Sequence, residues 1–268
     1  MTHTMPLTFR DLMDRLGGSA APAAAALPQR KDQATLSATE RERFLSTINF
    51  LNQRGFYGAL VSIHSDMSHT MHNMGPGDPT SALGQQRFLP WHRVYLSQLE
   101  QLLQMFDPAV TIPYWDWTKA EEQIIPHWLQ GLMLTVTVAA PDPGMGVVAV
   151  MPVSVIRAPL TQDILHQRVA RIDAVMQATT YTDFATGLEN IHNGVHDWVG
   201  GTMSDLLTAP ADPIFWMHHA NIDRLWWAWQ QNHQGQNPDV QGVDAILDPW
   251  RYDEPQTRDI ANFNYGYT

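Results

Sequence analysis

Two apolar helical segments that carry paired histidines constrain this chain more than any other feature. His192 and His196 are four residues apart among apolar neighbours, so they share one face of a helix. His218 and His219 stand side by side in a second segment, which is rich in aromatic residues. Burying several imidazoles in apolar helices costs free energy unless each ring has a partner. The pattern therefore predicts helices that pack around a bound metal ion, for which imidazole is a common ligand.

A single ion does not easily take both members of the adjacent pair as ligands. Consecutive side chains on a helix with 3.6 residues per turn point about 100° apart. One of His218 and His219 is therefore expected to bind the metal, and the other to pack beside it. Asp223 lies one turn beyond His219 and is a candidate for positioning the site through a hydrogen bond.

A second group of imidazoles lies upstream. His92 follows Pro90, which suits the first turn of a helix, and His64, His69 and His72 come before it. Two three-imidazole sites facing each other across a bundle follow from these two groups. Ligation by imidazole alone suits Cu, Zn, Fe or Ni. Six such ligands favour a dinuclear centre. Among these metals, the Irving–Williams order of affinity favours copper. The remaining histidines are predicted to lie at the surface: His3, His127, His166 and His233.

Composition removes several classes of function. The chain has no cysteine, which excludes disulfides, thiolate metal sites and a cysteine nucleophile. Its net charge of -11, with no cluster of Lys or Arg, argues against nucleic acid and anionic membranes as partners. No apolar stretch reaches the length of a membrane span. The N-terminus lacks the features of a signal peptide, so we expect a cytoplasmic location.

The pattern of apolar residues predicts a mainly α fold, a four-helix bundle with long loops and minor β structure. Residues 132–157 contain two extended, valine-rich runs that suggest a hairpin. Residues 1–29 are expected to form an N-terminal arm with a short helix at 6–16 and a linker rich in Ala and Pro, followed by one core domain at 30–268. The predicted helices span about 38–53 (with a capping box at Ser37 and Glu40), 56–71, a segment starting at Pro90, 161–177, 182–198 and 213–232.

Four motifs together resemble the type-3 copper proteins, most closely the bacterial tyrosinases and o-aminophenol oxidases. They are Phe88–Arg93, Ile112–Trp117, His192–His196 and Asp212–Trp226. The resemblance covers about residues 30–268. It implies a four-helix bundle around two copper ions, each held by three histidines, with O2 as co-substrate.

The resemblance also implies the ligands. His192, His196 and His219 would hold the second copper, with His218 as a neighbour. His64 and His92 would hold the first copper. Many relatives place the remaining ligand nine residues before the histidine of the Trp-His-Arg motif, where this chain has Leu83. The ligand must then come from further upstream. His72 is our choice, and His69 is the alternative.

Further residues take roles by the same resemblance. Glu189 and Asn193 would order a water that helps to deprotonate a phenol, although a carboxylate at Glu189 is also compatible with a helix surface. Asp197 and Leu206 would border the substrate pocket, where Asp197 would disfavour substrate carboxylates and tolerate amines. At the other end of the domain, the resemblance pairs an N-terminal arginine with a Tyr-x-Tyr motif by cation–π contact: Arg30, Tyr265 and Tyr267.

The expected function is a tyrosinase, which hydroxylates monophenols to o-diphenols and oxidises these to o-quinones. The presence of both Glu189 and Asn193 favours a tyrosinase over a catechol oxidase without monophenolase activity. An o-aminophenol oxidase is a close alternative. Less favoured are a haemocyanin-like oxygen carrier, a mononuclear zinc hydrolase and a non-catalytic bundle. The expected partner is a small phenol or aminophenol. The absence of a shielding domain after the core suggests a chain ready to act, or one activated or loaded with copper by a separate partner.

Overall fold

The structure, a computed structural model, describes residues 27–141 and 148–268. Within them, helices form most of the regular structure, and two small sheets accompany them. The predicted helix at 6–16 and most of the proposed N-terminal arm lie outside the described residues. The helices are α1 (Ala38–Gln53), α2 (Phe56–His64), α3 (Ser81–Phe106), α4 (Gln162–Val169), α5 (Ile172–Met176), α6 (Tyr181–Val199) and α7 (Pro213–Asn232).

Four helices surround the histidines: α2, α3, α6 and α7. The long helix α3 packs on both α6 and α7, and its central part is buried on all sides. The helix α7 begins at Pro213, whose missing N–H suits the first turn, and the Asp212 side chain accepts a hydrogen bond from the amide of Ile214. The mainly α, four-helix architecture expected from the sequence is confirmed.

The helix α3 begins earlier than predicted. It starts at Ser81, so Pro90 lies inside it and not in its first turn. An interior proline leaves the carbonyl four residues earlier without its helical donor. Here that carbonyl belongs to Gln86, and it accepts a hydrogen bond from the Tyr181 hydroxyl at 3.0 Å. This tertiary contact from α6 compensates the lost bond, and the loop before α3 is shorter than predicted.

Two other predicted helices are wrong in extent. The segment predicted as a helix at 56–71 ends at His64, and a separate 3-10 turn follows at Met67–His69. The Asp66 side chain caps that turn by accepting from the amide of Ser68, which gives the backbone an alternative to continuing the helix. The segment predicted at 161–177 is divided into α4 and α5. By contrast, α1 spans its predicted residues and has the predicted capping box.

The predicted hairpin is present. Strands β2 (Thr135–Pro141) and β3 (Val148–Ser154) pair antiparallel, with Thr135 opposite Ser154. Strand β2 packs on α2, where a side chain in place of Gly58 would put its Cβ 2.3 Å from the carbonyl oxygen of Thr137. The hairpin therefore covers the outer face of the helix that ends in His64.

The two ends of the described core meet in a second sheet. Strands β1 (Gln29–Arg30) and β4 (Gly266–Tyr267) pair in parallel. The Arg30 guanidinium lies 3.6 Å above the Tyr265 ring, which confirms the predicted cation–π contact. Among the described helices, none is long and apolar enough to cross a membrane.

Candidate metal centre

The first cluster of histidines joins three separate elements. His64 is the last residue of α2, His72 lies in the loop before α3, and His92 lies in the middle of α3. All three are buried. The Nε2 atom of His64 lies 3.2 Å from Nε2 of His72 and 3.5 Å from Nε2 of His92. Three ring nitrogens therefore converge on one point.

Backbone carbonyls determine which nitrogen of these rings carries the proton. The Nδ1 atom of His64 lies 3.0 Å from the carbonyl oxygen of Leu206, and Nδ1 of His92 lies 2.8 Å from that of Phe88. A carbonyl oxygen only accepts hydrogen bonds, so Nδ1 is the donor in both rings. In a neutral imidazole the lone pair is then on Nε2, the atom that faces the cluster.

The second cluster is built on two helices. His192 and His196 lie one turn apart on α6, and His219 faces them from α7. The Nε2 atom of His219 lies 3.1 Å from Nε2 of His192 and 3.4 Å from Nε2 of His196. This arrangement repeats the Nε2 triangle of the first cluster.

The α6 rings of this cluster have the same tautomer as His64 and His92 of the first. The Nδ1 atom of His196 donates to the carbonyl oxygen of Met203 at 2.7 Å, and Nδ1 of His192 donates to Oδ1 of Asn193 at 3.0 Å. Among the described residues, Nδ1 of His219 has no hydrogen-bond partner although it is buried. Asn193 is itself largely exposed, but its amide orients the His192 ring.

His218 has the opposite tautomer. It is fully buried, stacks on His192 with ring centroids 5.0 Å apart, and belongs by distance to the second cluster. Its Nδ1 atom accepts a hydrogen bond from the indole N–H of Trp117 at 2.9 Å. An indole nitrogen only donates, so the proton of neutral His218 is on Nε2. Neither nitrogen then has a free lone pair for a metal, which supports His219 as the ligand of the adjacent pair.

The two clusters face each other. The rings of His92 and His219 are stacked, with centroids 4.4 Å apart and planes inclined by 14°. Phe215 packs against His219 from one side and against His64 from the other. The aromatic surroundings leave the imidazoles with few polar neighbours other than one another.

The donor set fits a metal ion in each cluster. The Nε2 atoms of His64 and His92 both carry lone pairs and lie 3.5 Å apart, and a cation between them removes the repulsion of the two lone pairs. Imidazole nitrogens about 2.0–2.1 Å from one ion lie roughly 3.3–3.6 Å apart in tetrahedral or trigonal geometry, close to the separations observed. Burial lowers the pKa of His196 to about 4 and holds those of His64, His92, His192 and His219 well below the usual value, so these rings are neutral at neutral pH.

His69 lies outside both clusters. Its Nδ1 atom pairs with Oδ2 of Asp248 at 2.7 Å, and its ring stacks on Trp91. Arg87 pairs with the other oxygen of the same carboxylate. His69 therefore attaches the loop before α3 to the C-terminal segment, whereas His72 joins the first cluster.

Glu189 is buried, at 3% exposure, so it is not a carboxylate on the helix surface. Its Oε1 atom accepts from the amide of Asn73 at 2.9 Å and lies 3.6 Å from Nδ1 of His72. Its Oε2 atom is buried without a protein partner among the described residues. The helix α6 thus brings Glu189 and Asn193 to the centre, but toward different histidines.

Asp197 and Leu206 each adjoin a cluster histidine, Asp197 as the residue after His196 and Leu206 through its carbonyl. The side chain of Asp197 is 64% exposed, and its Oδ2 atom lies 3.7 Å from the guanidinium of Arg168. Leu206 is half-buried, and its carbonyl accepts from His64. The prediction that Asp223 positions the site through a hydrogen bond is wrong for His219, because Asp223 has other partners. Its carboxylate pairs with Arg93 and Arg30 and accepts from the hydroxyls of Tyr265 and Tyr267.

Sequence reasoning missed two residues that shape the centre. One is Trp117, which determines the tautomer of His218 from a segment about a hundred residues away. The other is Gly84, where an added Cβ would lie 1.8 Å from the carbonyl oxygen of His72. A glycine inside an apolar helix is the signal that indicates such a close approach.

Comparison with known families identifies the fold and the chemistry. The model of the common central domain of tyrosinase matches residues 54–154 and 154–232. The chain belongs to the tyrosinase family. It is a tyrosinase-type copper oxidase, and its cofactor is a pair of copper ions at the two histidine clusters.

Curated relatives match over nearly their full length. The tyrosinase of Streptomyces glaucescens is 33% identical over 89% of this chain and 97% of the relative. The grixazone synthase of Streptomyces griseus is 26% identical over 89% of this chain and 98% of the relative. The chain is therefore similar, over most of its length, both to a protein named tyrosinase and to one named grixazone synthase.

Solved structures share the fold. A functional unit of octopus haemocyanin superposes with a TM-score of 0.65 at 21% identity, covering 91% of this chain and 68% of the other. The polyphenol oxidase of Grenache (Vitis vinifera) gives 0.64 at 18% identity, covering 93% and 87%. At these identities the likeness concerns the architecture alone.

Proposed function

We propose that the chain hydroxylates monophenols to o-diphenols and oxidises o-diphenols to o-quinones with O2. The observation that carries the proposal is the pair of facing Nε2 triangles, with Glu189 and Asn193 on α6, the helix that carries His192 and His196. The proposed ligands are His64, His72 and His92 for the first copper, and His192, His196 and His219 for the second.

When bound, the two coppers supply the two electrons that O2 takes up. The protein orients five of the six imidazoles through contacts of their Nδ1 atoms, so that their Nε2 atoms face the proposed copper sites. The aromatic surroundings, with Phe88 against His192 and Phe215 against His219, exclude water from the inner faces of the rings.

Glu189 is the proposed acceptor of the phenol proton. Its Oε2 atom has no protein partner among the described residues, so it is free to accept a hydrogen bond from an ordered water or from a substrate hydroxyl. Asn193 turns its Oδ1 atom to His192, which leaves the amide NH2 of this exposed side chain for the same water. A carboxylate within reach of the incoming hydroxyl is what a general base requires.

An o-aminophenol oxidase is the second candidate, and Asp197 is the residue that favours it. This exposed carboxylate follows His196, a proposed ligand of the second copper, directly on α6. A negative charge there attracts amino groups and repels carboxylates, although Arg168 at 3.7 Å reduces its effect. Leu206, whose carbonyl accepts from His64, would narrow the proposed pocket.

Oxygen uptake by the copper-loaded chain with three substrates tests the proposal. We expect consumption of O2 with a monophenol, with a catechol and, more slowly, with an o-aminophenol. Turnover of catechol without any turnover of the monophenol would exclude the proposed monophenolase activity. Faster turnover of the aminophenol than of either phenol would favour the second candidate. Reversible O2 binding without turnover of any substrate would indicate an oxygen carrier.

A further inference from the structure

Glu189 belongs to the helix of the second cluster, but its contacts lie in the first. It is three residues before His192 on α6. Its Oε1 atom extends from α6 to residues 72 and 73, in the loop before α3. Among the contacts described for this side chain, none is to His192, His196 or His219. The carboxylate therefore connects the scaffold of one copper site to a ligand of the other.

The contact with the loop is a backbone hydrogen bond. The amide of Asn73 donates to Oε1 at 2.9 Å, and the carboxylate that accepts is buried. Asn73 is the residue after His72, so this bond places the backbone from which the His72 ring projects. The missing side chain of Gly84 also lets α3 approach the His72 carbonyl. The His72 backbone is thus held between α3 and α6.

The same oxygen also faces the ring. It lies 3.6 Å from Nδ1 of His72, which is longer than a hydrogen bond but close enough for a charge to favour a proton on that nitrogen. A proton on Nδ1 leaves the lone pair on Nε2, the atom 3.2 Å from Nε2 of His64. Among the six proposed ligands, His72 is the one whose Nδ1 faces a carboxylate in the described structure.

His72 needs this support more than the other ligands do. Five of the six ligands lie on helices, whose backbone hydrogen bonds determine the direction of each side chain. His72 lies between a 3-10 turn at Met67–His69 and the start of α3 at Ser81, in backbone without a regular hydrogen-bond pattern. A buried polar anchor from another element replaces the missing helical restraint.

We propose that Glu189 is a positioning residue for the first copper, acting through Asn73 and His72. The inference rests on the proposed ligand set, and it adds to Glu189 a task that is separate from proton transfer: Oε1 places the ligand, and Oε2 remains free for water or substrate. Loss of the carboxylate weakens copper at the first site and leaves the second site unchanged.

Copper binding in chains with a single intact site tests this. His196→Ala disables the second site and leaves the first, and His64→Ala does the reverse. Glu189→Ala is then added to each. Copper affinity is measured by competition with a chelator of known affinity. With the first site alone, we expect Glu189→Ala to weaken copper binding about 10- to 100-fold, as is usual for loss of a group that orients a ligand. With the second site alone, we expect no change.

Glu189→Gln provides the matched conservative variant. It keeps an oxygen that can accept from the Asn73 amide but removes the charge that faces His72. We expect first-site affinity between that of Glu189→Ala and that of the unchanged carboxylate. This partial rescue distinguishes positioning of the backbone from an effect of charge alone.

Two results would overturn the proposal. One is first-site affinity that Glu189→Ala leaves unchanged, with only monophenol turnover reduced, because the carboxylate would then act on substrate or water alone. The other is equal weakening at both sites, because the effect would then be a general loss of folding. The assay does not depend on turnover. A chain that shows the expected copper affinities but oxidises no phenol would refute the proposed function and leave this inference standing.

Discussion

The two histidine clusters hold similar triangles of nitrogens but are built in different ways. The second uses two continuous helices, α6 and α7, and its α6 pair has the spacing of a helical turn. The first takes one residue from the end of α2, one from a loop and one from the middle of α3. Helix periodicity alone directs the α6 pair to one point. The first cluster depends on contacts between elements that are distant in sequence, so it is the one that substitutions away from the ligands should disturb.

The largest effect should follow loss of a ligand, and it tests whether the loop ligand is equivalent to a helical one. We expect His72→Ala to reduce bound copper from two ions to one per chain and to abolish O2 uptake with catechol, as His196→Ala should do at the second cluster. His69→Ala is the matched control from the same loop. Metal analysis should find two coppers in it, because His69 is paired with Asp248. One copper in the His69 variant and two in the His72 variant would reverse the assignment.

Acid should act on both clusters. Burial lowers the pKa of His196 to about 4 from an unfolded value of 6.5, so between these values the unfolded chain binds more protons. The stability that neutral His196 contributes is present above pH 6.5 and is lost as the pH falls to about 4, and it amounts to about 3 kcal/mol. Burial also lowers the pKa of His64 and His92 in the first cluster.

Urea unfolding of the copper-free chain at pH 7 and pH 4 measures this loss. His196→Asn should reduce the difference between the two free energies of unfolding. His127→Asn, at an exposed histidine, should not change it. Equal pH dependence in the two variants would mean that His196 is protonated as readily in the folded chain as in the unfolded one.

A glycine-to-alanine pair compares the helices that support the two clusters. At Gly84 on α3, the new Cβ would lie 1.8 Å from the carbonyl oxygen of His72, whereas at Gly194 on α6 it would meet only the Arg168 side chain, at 3.3 Å. We expect Gly84→Ala to lower the free energy of unfolding by about 1–3 kcal/mol and to weaken the first copper. Gly194→Ala should be neutral or stabilising by up to about 1 kcal/mol. Similar effects of the two substitutions would show that the loop that carries His72 can shift to accommodate the new methyl group at little cost.

The smallest effect should come from Trp117→Phe, which removes the donor to Nδ1 of His218. An unpaired buried nitrogen costs about 1–3 kcal/mol at most, and the ring of His218 keeps its stacking on His192. Thermal unfolding should show a modest loss, while metal analysis still finds two coppers. A change in copper content would mean that His218 takes part in binding once its Nδ1 atom is released.

Much of the second cluster was predictable because its ligands follow local rules. The spacing of His192 and His196 requires only a helix, and α7 spans the predicted residues 213–232. The adjacent pair was restricted to one ligand by helical geometry. Which of the two it is depends on an indole from residue 117, because that hydrogen bond determines the tautomer of His218.

The first cluster was predictable only in part. The sequence alone left His72 and His69 as alternatives, and it placed the start of α3 at Pro90. The structure extends that helix through the proline because Tyr181 satisfies the freed carbonyl of Gln86. It directs His72 inward because Gly84 admits the backbone and Glu189 accepts from Asn73.

The sequence by itself determined the class of the fold and the chemistry of the donors: apolar helices, imidazoles at helical spacing and no thiol. Only the tertiary structure decided which ring nitrogens face each other, which of the candidate histidines lies outside the site and what holds the loop ligand. The physical reason is that helical periodicity is a local property of the chain. Tautomers and the path of an irregular loop depend on single hydrogen bonds to partners from distant parts of it.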